Sequence, residues 1–198
     1  MTITYTMDNV LYLNITNKCC NSCDFCIRNY SDTVGDATSL WLEREPSVDE
    51  VIEDIKKRDL ATFKEVVFCG YGEPCERIAE LIEIAKFIKS ISNISIRINT
   101  NGQGNLMHKK DITPLFKDVI DVISISLNAK NAVDYQKICH STFGEESFPA
   151  IIDFAKLCKK YVKSVIFTIV DTLPADDIEE CRLIAKNADV TFRVRNLY

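Results

Sequence analysis

The chain has 198 residues, 46% of them hydrophobic, and its 29 acidic against 24 basic side chains leave a net charge of −5. That much apolar material suits one buried core and is short for two, so a single domain over residues 1–198 is expected. Scattered basic residues argue against a broad nucleic-acid surface, and with no apolar run near the roughly 18 residues of a membrane helix and no basic-then-apolar leader, a cytoplasmic protein without a membrane span is expected.

Val10–Ile15 alternates as a first strand and delivers a polar loop holding Cys19, Cys23 and Cys26. A long loop, Asn29 to Pro46, carries the only tryptophan, Trp41. Ser47 and Glu50 form a capping box that opens a helix. Glu65–Cys69 is a second strand, broken by Gly70-Tyr71-Gly72-Glu73-Pro74, and Ile78, Leu81, Ile82, Ala85 and Ile88 then keep one face of a long helix apolar. Ile94–Asn99 is a third strand ended by Thr100-Asn101-Gly102, and Thr113-Pro114 caps a short helix. Val122–Leu127 is the fourth strand, closed by Asn128. Helical patterns follow at Ala132–Cys139 and Phe148–Tyr161, then a fifth strand at Val165–Val170, a helix at Asp176–Asn187 and a sixth strand at Val190–Arg195.

Strand, loop and helix repeat about six times, the pattern of a parallel sheet with helical crossovers. Six strands are too few to close an eight-stranded barrel. An α/β fold with a partial, laterally open (β/α)6 sheet of TIM-barrel type is therefore expected, with functional groups at the carboxyl ends of the strands. Period-two alternation places Ser124, Ser126 and Asn128 on one face and Arg193 and Arg195 on another, both looking into a shared cavity.

Three thiolates at the spacing Cys19-x3-Cys23-x2-Cys26 can hold three irons of a cubane 4Fe-4S cluster and leave the fourth without a protein ligand. Cys20 is a poor fourth ligand because neighbouring residues point differently. A zinc site would need further ligands, and His108 and His140 are distant in sequence. A non-catalytic zinc or redox module is the competing reading. Nine cysteines in a reducing compartment read as ligands, core residues or redox thiols before disulfides. Cys139, Cys158 and Cys181 fall in helical patterns and read as core, while Cys69 and Cys75 flank the second motif.

The cysteine motif after a first strand, with Phe25 before its last thiol, resembles the signature of the radical S-adenosylmethionine (SAM) superfamily. Gly70-Tyr71-Gly72-Glu73-Pro74 resembles that superfamily's second motif with Tyr71 inserted. More narrowly, Asn17–Asn29, Leu40–Pro46, Phe68–Pro74, Arg97–Gly102 and Phe192–Arg195 are similar to blocks of the small TatD-associated radical SAM proteins.

The resemblance implies an enzyme whose cluster, on Cys19, Cys23 and Cys26, cleaves SAM to a 5'-deoxyadenosyl radical that abstracts hydrogen from a substrate. It implies that backbone around Gly70, Tyr71, Gly72 and Glu73 receives the methionyl ammonium. Asn99, Asn101, Ser126 and Asn128 would bind ribose or carboxylate, and Phe25 with Val170 would border adenine. A reducing donor such as flavodoxin or ferredoxin is implied, as is a functional link to a TatD-type hydrolase. The substrate is a peptide, protein or RNA admitted by the lateral opening, or a small molecule as in the deazaguanine-forming members. Arg193 and Arg195 either bind an anion or pair with acidic side chains.

Overall fold

In the computed structural model, which describes residues 1–196, each parallel strand alternates its side chains between two unlike environments. Seven strands form one sheet in sequence order: β1 (Thr4–Met7), β2 (Val10–Leu13), β3 (Glu65–Phe68), β4 (Ser95–Thr100), β5 (Val122–Ser126), β6 (Ser164–Val170) and β7 (Thr191–Arg195). Strands β2 to β7 run parallel, and β1 and β7 are unpaired edges, so the sheet is open as expected.

One face of the sheet carries Leu11, Val66, Phe68, Ile96, Ile98 and Ile123, all buried in the main core with the helices. Those helices are α1 (Val48–Lys56), α2 (Ile78–Ile91), the short α3 (Gly104–His108), α4 (Ala132–Cys139), α5 (Ser147–Cys158) and α6 (Ala175–Ala188). Burying each large side chain contributes roughly 1.5–3 kcal/mol, so this face fixes the register: a slip of one residue would turn it out. The capping box of α1 is present, with Glu50 N donating to Ser47 Oγ at 3.2 Å and Ser47 N to Glu50 Oε2 at 2.8 Å.

The opposite face is divided. Towards β1–β3 it is apolar, and Tyr5, Val10, Tyr12 and Val67 pack beneath Ala37 and Leu40 of the long loop. Towards β4–β7 it is polar: register places Asn99 beside Ser124, Ser126 beside Thr168, and Thr168 beside Arg193.

Strand β1 is absent from the sequence pattern. It pairs antiparallel with β2 through a two-residue turn in which Asp8 (φ 54°) and Asn9 (φ 62°) are both left-handed, the form that suits a twisted hairpin. Asp and Asn enter that region more readily than other non-glycine residues. The six expected strands are the parallel ones, joined by five helical crossovers.

Candidate functional site

Past Leu13 the chain leaves the sheet and is tied down at several points. Lys18 N donates to Thr16 Oγ1 (3.0 Å), whose hydroxyl donates to Glu45 Oε1 (2.8 Å). Farther on, Ser22 N and Asp24 N donate to the carbonyls of Cys139 and Ile138 at 3.0 Å each, and Thr142 N donates to Cys20 O at 2.9 Å. The loop is thus docked on the end of α4. A turn closed by Cys26 N to Cys23 O (3.1 Å) brings the last two thiols together.

Cys19, Cys23 and Cys26 are half-buried and line a single cavity of about 290 Å³ at the carboxyl ends of the strands. Phe25 borders the same cavity, as do Gly70, Tyr71, Gly72 and Glu73 after β3. From β4 and β5 come Asn99, Asn101, Ser126 and Asn128, and from β7 Arg193 and Arg195. Val170 is the exception among the expected residues. It is buried at the end of β6, beside Arg195, and does not line the cavity. Cys20 does not line it either, because its sulfur turns inward to accept from Asn101 Nδ2 at 3.1 Å.

The second motif is built by close approach. A Cβ on Gly72 would stand 2.4 Å from Thr16 O and 2.6 Å from Lys18 O, and one on Gly70 would stand 2.0 Å from Asn14 Oδ1. Both glycines therefore let the β3 end pack against the thiol loop. Glu73 continues this seam, its N–H donating to Lys18 O at 2.7 Å. Its carboxylate is 3% exposed and accepts from Thr100 Oγ1 (2.7 Å), Asn101 N (2.7 Å) and Cys75 N (3.0 Å), binding the ends of β3 and β4 together. Burial outweighs these donors and leaves the Glu73 carboxyl above its ordinary pKa. The inserted Tyr71 leaves the motif for the long loop, where its hydroxyl donates to Ser31 O and its ring meets Trp41 edge-on at 5.1 Å.

The buried polar network behind the thiols was not visible in the sequence. Gln103 Nε2 donates to Asn21 Oδ1 (2.9 Å) and Tyr135 Oη (3.0 Å), and Ser141 Oγ donates to Gln103 Oε1 (2.6 Å). These four residues come from three distant parts of the chain, and no local pattern marks them. Thr168 also lines the cavity, and the alternation of β6 could have found it.

Thiolate is the donor iron–sulfur clusters use, and three such groups face one cavity. Among the described residues no three His, Cys, Asp or Glu side chains close on a point that one ion could fill. A cubane asks for a different arrangement, since each sulfur holds a separate iron. A buried acceptor, Asn128 Oδ1, also has no hydrogen-bond partner although Asn128 lines the cavity. The residues therefore fit a cluster with a polar ligand beside it. Burial, with Glu73 adding to it, pushes the Cys19 thiol up to about 12. The hydrogen bond to Cys139 and burial raise that of Cys23, and burial raises that of Cys26. Iron loading must displace these protons and is favoured as pH rises.

A family model described as the Radical SAM superfamily matches residues 13–191. Among solved structures, SuiB from Streptococcus suis bound to its precursor peptide SuiA superposes with a TM-score of 0.69 at 18% identity, over 96% of this chain and 39% of that one. A radical SAM methyltransferase from Sphaerobacter thermophilus gives 0.65 at 14% identity, over 96% and 57%. Methylornithine synthase (PylB) gives 0.60 at 17% identity, over 94% and 52%. At such identities the likeness is one of fold, and this chain spans 39% to 57% of the length of these proteins. A search of curated proteins returned no match. Members of the matched family bind a 4Fe-4S cluster and S-adenosylmethionine. The family match over residues 13–191, with the three thiols and the Gly-Tyr-Gly-Glu-Pro turn on one rim, places this chain in the radical SAM superfamily.

Proposed function

We propose that this chain is a radical SAM enzyme whose Cys19, Cys23 and Cys26 hold a 4Fe-4S cluster through three of its irons. When bound, the cluster passes one electron to SAM, whose cleavage supplies a 5'-deoxyadenosyl radical that takes a hydrogen atom from a substrate. The chain's own groups bind and orient. Backbone at Gly72 and Glu73 receives the methionyl ammonium, and Asn99, Asn101, Ser126 and Asn128 offer hydrogen bonds to the carboxylate and ribose. Phe25 covers one side. The observation that carries this reading is that Cys19, Cys23 and Cys26 line one cavity together with Asn128, whose buried side-chain oxygen has no hydrogen-bond partner.

Anaerobic reconstitution tests it. About four irons and four sulfides per chain are expected, with 5'-deoxyadenosine formed from SAM under dithionite and lost in Cys23→Ala. One zinc per chain and no cluster would favour the metal or redox module instead.

A peptide or protein substrate is supported by the open sheet and by the likeness to SuiB, solved with its precursor peptide. A small-molecule substrate, as in the deazaguanine-forming type, is the alternative, and the likeness to methylornithine synthase supports that class of size. The narrower kinship with TatD-associated proteins, and with it a TatD-type partner, rests on the sequence blocks alone. A flavodoxin or ferredoxin donor and a cytoplasmic setting suit a cluster that must be reduced. Among the described residues no helix is long and apolar enough to cross a membrane.

A further inference from the structure

We infer that Arg193 and Arg195 form an anion-binding wall of this cavity and hold a carboxylate or phosphate group of the substrate. The assignment to substrate rests on the proposed function, because it takes the cofactor to occupy the other wall.

Three arginines share the polar face of the sheet: Arg97, Arg193 and Arg195. Arg97 is neutralised, donating from Nε to Glu65 Oε2 at 3.1 Å and from Nη2 to Glu65 Oε1 at 2.8 Å. Neither of the other two makes a salt bridge or a side-chain hydrogen bond among the described residues, yet both line the cavity. Strand alternation aims them the same way, from positions two residues or roughly 7 Å apart along the strand. Two guanidinium forks at that spacing can each take two oxygens of a planar or tetrahedral anion, which lysines could not do as specifically.

Glu65, whose charge favours the charged form of Arg193, is already paired with Arg97. Among the described residues Glu73 is the one carboxylate lining the cavity, and both of its oxygens are already occupied by Thr100, Asn101 and Cys75. The wall is therefore positive in a protein whose net charge is −5. Burial and the neighbouring Arg97 charge hold the Arg193 guanidinium below its ordinary pKa, with Arg195 adding to the repulsion and Glu65 opposing it. An anion seated between Arg193 and Arg195 would relieve that repulsion.

The SAM carboxylate is also an anion, and strand order separates the two sources. The amino and carboxylate groups of SAM are assigned to the ends of β3, β4 and β5, whereas the arginines sit on β7, two or more strands away in the sheet.

The test uses the reconstituted protein and the double variant Arg193→Gln/Arg195→Gln. Both positions are exposed on an edge strand, so the fold should survive the change, and circular dichroism checks this. Calorimetry with inorganic phosphate and with succinate as probes is expected to show at least one bound roughly tenfold more weakly by the variant. The double Lys variant should recover part of that loss. Affinity for SAM, by equilibrium dialysis, and iron content should stay within about twofold. Equal behaviour of wild type and Gln variant towards both probes, including binding of neither, would overturn the anion wall. A parallel loss of SAM affinity would overturn the assignment to substrate. Failure to load iron, with the difference in probe binding intact, would sink the cluster reading and leave the anion wall standing.

Discussion

Replacing Gly72 with alanine should displace the loop that carries the thiols. The new Cβ would stand 2.4 Å from Thr16 O and 2.6 Å from Lys18 O, both main-chain atoms with no rotamer to escape through. Ordinary contact needs about 1 Å more, and forcing such room in a packed region costs roughly 1–3 kcal/mol. The retreat also strains the 2.7 Å bond from Glu73 N to Lys18 O, worth about 1 kcal/mol more. A loss of roughly 2–4 kcal/mol is therefore expected, together with poor cluster loading, because Lys18 directly precedes Cys19. Gly144→Ala is the control. Gly144 is left-handed at φ +60°, but a Cβ added there would meet nothing within 4 Å, so the change brings backbone strain of about 1–2 kcal/mol without touching the thiols. Urea denaturation followed by circular dichroism, with iron and sulfide determination after reconstitution, measures both effects. A Gly72→Ala protein as stable as Gly144→Ala and fully loaded would refute the close-approach explanation.

Three further outcomes are expected. Asn128→Ala should weaken SAM binding by roughly two- to tenfold and change iron content less; since Asn128 is left-handed (φ 57°), Asn128→Gly should show the same loss without backbone strain, and equal loss of iron and SAM in both would remove Asn128 from the cofactor site. Burial acts to raise the Asp121 carboxyl, but Lys163 (2.7 Å), Lys89 (2.6 Å) and Ile96 N (2.8 Å) hold it below its ordinary value. A depressed folded pKa gives stability that is present above the unfolded value near 3.9 and is lost as pH falls through the folded one, so Asp121→Asn should cost about 2 kcal/mol at pH 7 and clearly less at pH 3. The same cost at both values would contradict this. Tyr71→Phe leaves Ser31 O without its donor and should speed amide exchange in the long loop while iron content is unchanged; a loss of iron would show that Tyr71 serves the thiols.

The strand order and the polar rim were legible because their causes are local. A parallel strand with one polar face alternates visibly, as Ser124 and Ser126 do, and the three cysteines lie within eight residues of each other. Strand β1 escapes such a reading because its turn uses Asp8-Asn9 rather than a glycine-bearing pair. The inward turn of Glu73 and the Asn21, Gln103, Tyr135 and Ser141 network were hidden for another reason. Each depends on partners tens of residues away, and a hydrogen bond of that range leaves no period in the sequence. Tyr71 illustrates the same limit: beside two glycines it looks like part of the turn, while its ring and hydroxyl belong to the long loop.

The most direct measurement is electron–nuclear double resonance on the reconstituted, dithionite-reduced protein with SAM labelled with 15N at the amino group. A coupling of that nitrogen to the cluster, together with iron bound by only Cys19, Cys23 and Cys26, is the expected result. A cluster that shows no such coupling, or whose fourth iron is held by a protein atom such as the Cys20 sulfur, would contradict it.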